Sequence, residues 1–120
     1  MFYMKKRDIK KFICFSTTLL YGSNPKSEPV REDYPICAEN EYIFSKLLGE
    51  MVAEFYEEYV PTISVRLGNI YGPTKLIRPD LVPALVRKVL TEDSPSIWNS
   101  KPKRDFVYVK DAASAVIKLL

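Results

Sequence analysis

Two short apolar runs flank one long amphipathic segment in the first half of the chain. Lys11–Ser16 and Thr62–Leu67 are rich in aromatic and β-branched residues, a composition typical of strands. Glu41–Tyr59 repeats apolar residues at helical spacing and is followed by Pro61, which cannot continue a helix. The order strand, helix, strand leaves no room for an antiparallel hairpin. It therefore predicts a right-handed βαβ unit with two parallel strands.

Three sectors run along the predicted helix when each residue is turned by about 100° from the one before. The first is a wide apolar stripe that we expect to face the core: Phe44, Leu47, Leu48, Met51, Val52, Phe55 and Tyr59. The second is acidic and expected to be solvated: Glu50, Glu54, Glu57 and Glu58. The third sets a tyrosine and a lysine one turn apart and then two small residues, which would let another surface come close: Tyr42, Lys46, Gly49 and Ala53.

The second half of the chain predicts shorter elements. Residues 68–73 are expected to form a turn at the carboxyl end of the second strand, the edge at which open α/β sheets bind ligands. Asp80 is expected to cap a helix of about ten residues, with Pro83 in its first turn. Asp111 is expected to cap a last helix that is still running at Leu120. Two short strands are predicted between these helices, at Ser96–Trp98 and Arg104–Val109.

Two other segments need an interpretation of their own. Residues 23–40 hold three prolines and many polar side chains, which predicts a loop whose length points to function. The basic start of the chain, followed by the apolar run Phe12–Leu20, resembles a secretory signal. However, polar residues 16–18 interrupt that run, and Leu20 and Tyr21 stand where a cleavage site needs small residues. A strand is therefore the better interpretation.

Composition excludes several classes of protein. The 120 residues, 47% hydrophobic and 28% charged, suit one globular domain. A net charge of +3 is too small to indicate a nucleic-acid partner by itself. The absence of histidine excludes Ser-His-Asp and Cys-His nucleophiles, and two cysteines cannot complete a four-thiolate site, so no metal centre is expected. No apolar run reaches the ~20 residues of a membrane span.

The candidate chemistry begins with Tyr42 and Lys46. Four residues apart on a helix, their side chains lie on one face within reach of each other, and an ammonium beside a phenol favours the phenolate. The plain alternative is a surface tyrosine and lysine that share this spacing by chance. Thr17 adds to the first interpretation, because a hydroxyl at the end of the preceding strand would point toward the start of the helix. Such a group can hold a substrate oxygen and share a proton with the tyrosine.

Four segments in this order resemble the extended short-chain dehydrogenase/reductase family, and within it the NAD-dependent epimerase/dehydratase group that acts on nucleotide sugars. They are FSTTLLYG at 15–22, YIFSK at 42–46, RLGNIYGP at 66–73 and RDFVYVKD at 104–111. The resemblance runs from about Lys11 to Leu120, and four motifs in order are far more specific than any one. It implies an α/β fold, namely a partial Rossmann-like doubly wound parallel sheet. This would be the carboxyl-terminal half of the dinucleotide-binding domain plus part of the substrate-binding region.

The resemblance also implies roles for single residues. Thr17 takes the family's catalytic Ser/Thr position and Tyr42 the general acid/base position. Lys46 favours the ionised tyrosine and binds the nicotinamide ribose of NAD or NADP, and the backbone near Leu67 would meet the nicotinamide.

Two more positions match those that hold the nucleotide-diphosphate part of the substrate, Asn69 and Arg104. A guanidinium binds phosphate oxygens in a bidentate manner, which suits Arg104. The alternatives are that Asn69 is a simple turn residue and that Arg104 belongs to a solvated basic turn with Lys101 and Lys103. A nucleic-acid patch is disfavoured, because aromatic residues do not alternate with these cations.

The sequence departs from the family pattern in two ways. Its four glycines do not form the G-x-x-G-x-x-G phosphate loop of the family, so residues 1–120 are expected to be a single partial domain without the amino-terminal glycine-rich βαβ unit and without the carboxyl-terminal end. Sugar dehydratases follow the catalytic threonine with Asp-Glu, whereas Thr18 and Leu19 stand here. Epimerisation or carbonyl reduction is therefore favoured over elimination of water.

The expected function is NAD(P)-dependent hydride transfer at a carbon of a nucleotide sugar. The protein is expected to be cytoplasmic and to bind neither nucleic acid nor membrane, with a homodimer as a candidate assembly. The rival hypothesis is a truncated, non-catalytic domain or interaction module. The absent glycine loop favours this rival for the chain as it stands.

Overall fold

The computed structural model describes residues 8–23, 25–26, 29–73, 80–91, 96–97, 99 and 101–120. The described elements, in chain order, are β1 (Phe12–Thr17), a 3-10 helix (Thr18–Tyr21), α1 (Glu41–Phe55), β2 (Thr62–Leu67), β3 (Asn69–Tyr71), α2 (Leu81–Thr91), β4 (Phe106–Tyr108) and α3 (Val109–Lys118). The chain divides into two compact units, one of Met1–Gly68 with Leu120 and one of Asn69–Leu119. None of the helices in the described part of the chain is long and apolar enough to cross a membrane.

The first unit is a βαβ arrangement. β1 and β2 pair in parallel, from Phe12 opposite Thr62 to Thr17 opposite Leu67, and α1 packs against both strands. The predicted strand–helix–strand order and the parallel pairing are thus confirmed. α1 ends at Phe55, four residues before the expected Tyr59, because the chain tightens there into a turn.

The core face predicted for α1 is wrong. The buried residues of this helix are Ile43, Glu50 and Ala53. Most of the expected apolar core stripe is exposed instead, at 52% for Phe44, 44% for Leu48, 56% for Met51, 51% for Val52 and 72% for Phe55. The helix approaches β1 through its small residues, since a Cβ atom added at Gly49 would lie 3.7 Å from the Cys14 Sγ atom. The larger apolar side chains therefore point away from the strands.

The second unit contains a second parallel pair, in which Asn69 lies opposite Phe106 and Tyr71 opposite Tyr108. The turn predicted at 68–73 is therefore wrong at β3, because a distant segment supplies the hydrogen-bond partners of a strand. α2 follows Asp80 as predicted, and the Asp80 carbonyl accepts the Ala84 N–H at 3.0 Å.

The carboxyl-terminal predictions need three corrections. α3 begins at Val109, so Asp111 lies in its first turn and does not cap it. The helix ends at Lys118 and does not reach Leu120, and the predicted strand at 104–109 is shortened to β4. The strand predicted at 96–98 is absent at residues 96 and 97, whereas Trp98 lies outside the described residues.

Candidate active site

The start of α1 brings Tyr42 and Lys46 together. The Asn40 side chain caps this helix, its Oδ1 atom accepting the Ile43 N–H at 2.9 Å, so Tyr42 falls in the first turn. The Lys46 Nζ atom lies 5.8 Å from the centroid of the Tyr42 ring, which is 53% exposed. The lysine ammonium group therefore makes a cation–π contact with the tyrosine ring.

Lys46 also reaches the strand that carries Thr17. Its Nζ atom donates to the carbonyl of Phe15 at 3.1 Å, two residues before the end of β1. The lysine thus joins the first turns of α1 to the carboxyl end of β1.

Thr17 and Leu67 lie opposite each other at the carboxyl edge of the β1–β2 pair. Thr17 is buried, and its Oγ1 atom accepts the Leu19 N–H at 3.3 Å, which caps the 3-10 helix. This bond uses one lone pair of the hydroxyl and leaves its hydrogen available for another acceptor. The Leu67 carbonyl accepts from the Thr18 hydroxyl at 3.4 Å.

Asn69 and Arg104 belong to the two segments that pair in the second unit. The Asn69 N–H donates to the carbonyl of Asp105 at 2.8 Å, which places Asn69 beside the residue that follows Arg104. Both residues are exposed, and the Arg104 Nη1 atom donates to the Lys103 carbonyl at 3.1 Å. A cavity of about 640 Å³ in the same unit is bordered by Tyr71, Tyr108 and one side of α2, but neither Asn69 nor Arg104 lines it.

Sequence reasoning missed a buried ionic cluster around Arg66. This residue of β2 binds Glu50 of α1 through two bonds, from Nε to Oε1 at 2.9 Å and from Nη2 to Oε2 at 2.7 Å. The side chains of Arg66 and Glu50 are only 19% and 10% exposed. Hydrogen bonds from Arg66 hold the pKa of Glu50 below its ordinary value of 4.5, against the burial that raises it.

The cluster also includes Tyr21, whose hydroxyl accepts from the Arg66 Nη1 atom at 2.9 Å. The available sequence signal was Arg66 itself, the one charged residue in an otherwise uncharged strand, TISVRL. Such a residue needs a buried partner.

The chain belongs to the NAD dependent epimerase/dehydratase family, which matches it over residues 1–120. Among curated relatives, a dTDP-4-dehydro-6-deoxy-D-allose reductase from Streptomyces is 29% identical over 93% of this chain and 37% of its own length. The chain thus spans about two-fifths of the length of the curated relatives it matches first.

Solved structures support the same fold. A UDP-glucose 4-epimerase from Thermotoga maritima, solved with UDP-glucose, is 29% identical and superposes with a TM-score of 0.84, over 98% of this chain and 40% of that one. A dTDP-glucose 4,6-dehydratase from Bacillus anthracis, solved with NAD, is 30% identical, with a TM-score of 0.81, over 98% of this chain and 39% of that one. The fold is therefore Rossmann-type α/β, as predicted. Because these three relatives carry three different reaction names, membership of the family does not identify the reaction.

Proposed function

We propose that this chain supplies the acid/base group of an enzyme that transfers hydride at a carbon of a nucleotide sugar. The observation that carries the proposal is the placement of Tyr42 beside Lys46 in the first turns of α1, with Lys46 bonded to β1 two residues before Thr17. Epimerisation or carbonyl reduction fits better than elimination of water, because Leu19 cannot act as an acid.

The proposed chemistry divides the work among three side chains. The Tyr42 phenolate takes the proton of the sugar hydroxyl, and the Thr17 hydroxyl donates to the same oxygen and steadies it. Lys46 contacts the tyrosine ring and binds the ribose of the cofactor. The nicotinamide supplies hydride acceptance and return when it is bound. Reduction of a keto sugar runs these proton movements in reverse.

The residues present fit one end of NAD or NADP. Thr17 and Leu67 mark the carboxyl edge of two parallel strands, where doubly wound sheets bind dinucleotides. Lys46 lies beside that edge and would hold the ribose, while the backbone around Leu67 would meet the nicotinamide. The sequence offers no glycine-rich loop for the pyrophosphate. We therefore propose residues 1–120 as one partial domain, the carboxyl-terminal half of the dinucleotide-binding domain with part of the substrate-binding region.

The proposed substrate is a nucleotide sugar, whose diphosphate would meet Asn69 and Arg104. Support comes from the Asn69 N–H bond to Asp105, which brings these two exposed side chains to one end of the β3–β4 pair. The guanidinium of Arg104 suits phosphate oxygens. The amide of Asn69 suits phosphate oxygens, a base edge or ribose. We also propose a cytoplasmic location, which the free thiols of Cys14 and Cys37 support, because reducing compartments keep cysteines unpaired.

We further propose that a second copy of the chain covers the apolar face of α1 formed by Phe44, Leu48, Met51, Val52 and Phe55. These large side chains are 44–72% exposed on one helix, and a two-fold axis would pack the same face against itself. Sedimentation equilibrium should give a dimer for the wild type and a monomer for Met51→Glu. Glu54→Lys, another charge change on α1 outside this face, should remain dimeric. A monomeric wild type would assign the face to another part of the domain.

The catalytic proposal is tested by replacing the matched segment of the Thermotoga maritima epimerase with residues 1–120. In this chimera, Tyr42→Phe should lower kcat by about 10²–10⁴-fold, because the ring stays and only the proton-carrying oxygen is lost. Tyr56→Phe, the same change just past the far end of α1, is the control and should keep wild-type turnover. Turnover of UDP-glucose that survives Tyr42→Phe would overturn the acid/base role. An inactive chimera with native-like circular dichroism would favour the non-catalytic rival.

Arg104→Ala in the same chimera tests the substrate contact. Because it removes a charge-assisted phosphate bond far from the reacting carbon, it should raise KM and leave kcat almost unchanged. Lys101→Ala, a neighbouring exposed cation, is the control. Equal KM values for the unmodified chimera, Arg104→Ala and Lys101→Ala would show that Arg104 belongs to a solvated turn and does not bind the substrate.

A further inference from the structure

The Arg66 guanidinium contacts three segments of the first unit besides its own strand. It holds Glu50 of α1 through Nε and Nη2, and its Nη1 atom donates both to the Tyr21 hydroxyl at 2.9 Å and to the Glu32 carbonyl at 3.0 Å. The guanidinium carbon also lies 5.1 Å from the centroid of the Tyr21 ring. All three nitrogen atoms are thus engaged.

Each of these contacts lies on a segment that follows, precedes or carries a residue of the candidate active site. Tyr21 ends the 3-10 helix whose amino-terminal cap is Thr17. Glu50 lies on α1, which carries Tyr42 in its first turn, and is one turn beyond Lys46. Glu32 lies in the loop that joins the 3-10 helix to α1. One side chain therefore fixes the segment after Thr17, the loop before Tyr42 and the helix that carries both Tyr42 and Lys46.

The loop before α1 is held to the 3-10 helix by further bonds. The Cys37 N–H donates to the Leu20 carbonyl at 2.7 Å, and the rings of Tyr21 and Tyr34 meet edge to face with centroids 6.2 Å apart. These contacts act on the same segment that Arg66 holds through Tyr21 and Glu32. The loop before α1 is therefore fixed to the 3-10 helix by contacts in addition to those of Arg66.

We propose that Arg66 is the positioning residue of the candidate site, setting the place of the Thr17–Tyr21 segment and of the loop before α1 relative to the helix. The chemical meaning of this role rests on the proposed function, but the positioning itself does not. Lysine is a poor substitute, because its three N–H donors radiate from a single nitrogen atom, whereas the guanidinium group spreads five donors over three nitrogen atoms in fixed directions.

A purely stabilising ion pair would behave differently. Breaking a partly buried pair at one partner lowers global stability, and a loss of global stability accelerates exchange at every amide of the unit alike. If Arg66 positions the segment, its loss opens the Thr17–Tyr21 turn locally. If Arg66 only stabilises the fold, its loss raises opening throughout the unit by one common factor.

Amide hydrogen exchange on the 120-residue chain separates the two roles. The reporters are three amides of the clamped segment: Leu19, which donates to the Thr17 hydroxyl, Gly22, which donates to the Leu19 carbonyl, and Cys37. The reference is the Phe12 amide, which donates to the Pro61 carbonyl at 2.9 Å at the other end of β1. In Arg66→Lys, we expect exchange at the three reporters to accelerate about tenfold more than exchange at the reference, whatever common factor the loss of global stability adds.

A second variant avoids the risk that Arg66→Lys fails to fold. Tyr21→Phe keeps the ring and the Arg66–Glu50 pair but removes one acceptor, so it should accelerate the same reporters with an unchanged urea midpoint. Lys10→Met, which breaks the exposed Lys10–Asp8 pair, should alter none of them. Uniform acceleration in Arg66→Lys, or no change at the reporters in Tyr21→Phe, would overturn the positioning role. Neither result depends on activity, so the catalytic proposal stands or falls separately through Tyr42→Phe.

Discussion

Glu50 shows how a single residue can belong to a different environment from the one its sequence position suggests. It lies in the acidic sector of α1, yet its carboxylate is buried against Arg66. The buried face of the helix follows from this pair together with Ile43 and Ala53, and not from the largest apolar side chains. A bidentate bond to a guanidinium satisfies the carboxylate that burial removes from water.

The Glu50 pair makes stability depend on pH. Arg66 lowers the folded-state pKa of Glu50 below 4.5, so the stabilisation is fully present above the unfolded-state pKa and is lost as the pH falls through the folded-state value. In urea unfolding, we expect Glu50→Gln to cost about 1–3 kcal/mol at pH 7, because the guanidinium loses its charged partner. The difference from the wild type should shrink progressively below about pH 4.5.

The control for this prediction is Glu54→Gln, the same change at an exposed position of α1. It should follow the wild-type curve at every pH. The free energies of unfolding of the wild type and Glu50→Gln are compared from about pH 3 to about pH 7, the range in which carboxyl groups titrate. A difference that stays constant over this range would show that the ionised pair does not contribute to stability.

The apolar side chains of α1 fall into a buried set and an exposed set, which can be compared directly. Ile43 is 3% exposed and Leu48 is 44% exposed, and the two side chains are isomers. Truncation to alanine therefore removes the same number of carbon atoms. We expect Ile43→Ala to cost about 2–4 kcal/mol in urea unfolding and Leu48→Ala about 1 kcal/mol or less, at a protein concentration below the range of self-association.

The reverse order of these two costs would show that the stripe predicted from the sequence is the core face after all. Equal costs would show that both sides of the helix are covered. The Ile43 and Leu48 variants thus test the largest disagreement between the sequence pattern and the structure.

Elements whose signals are local could be predicted, and elements that depend on distant partners could not. β1 and β2 have apolar runs of their own, and α1 has a helical repeat followed by Pro61, so their order and parallel pairing follow from the sequence. β3 is a strand only because β4 pairs with it, which no local pattern records. The orientation of α1 depends on a salt bridge between residues 16 positions apart, on a helix and a strand.

The candidate site divides in the same way. Tyr42, Lys46 and Thr17 were found because helical spacing and a strand end are visible in the sequence, and their family roles remain proposals. The role of Arg66 could not be predicted, because it depends on acceptors from three residues that only the fold brings together: Tyr21, Glu32 and Glu50. The proposed catalytic residues are visible as sequence motifs, whereas a positioning residue is recognised only from its contacts in the structure.

For the whole molecule, the described residues bury few apolar side chains, namely Leu20, Ile43, Ala53, Val60 and Ala112. Each parallel pair has only two strands in the described part of the chain, and two-stranded sheets are marginal alone. Large apolar side chains remain exposed on α1 and on α2. The small core and the exposed apolar side chains of α2 agree with the proposal that residues 1–120 form part of a larger domain, whereas the apolar face of α1 is assigned to the second copy of the chain.

The last prediction concerns the cofactor. Thr17, Lys46 and the backbone near Leu67 are the groups proposed for the nicotinamide end, whereas the four glycines provide no phosphate loop. A glycine-rich turn and a helix amino terminus supply most contacts to the pyrophosphate of a dinucleotide. We therefore expect isothermal titration calorimetry of the 120-residue chain with NAD to show no saturation below about 1 mM, equivalent to less than about 4 kcal/mol of binding free energy.

Comparison with nicotinamide mononucleotide sharpens this test. If only the nicotinamide end is recognised, NAD and the mononucleotide should bind equally weakly, because the adenylate half finds no partner. Lys46→Met should then weaken both to the same degree, since the ribose contact is common to the two ligands. Micromolar binding of NAD with much weaker binding of the mononucleotide would contradict the prediction. It would mean that backbone elsewhere in the chain holds the pyrophosphate, and the non-catalytic rival would lose its main support.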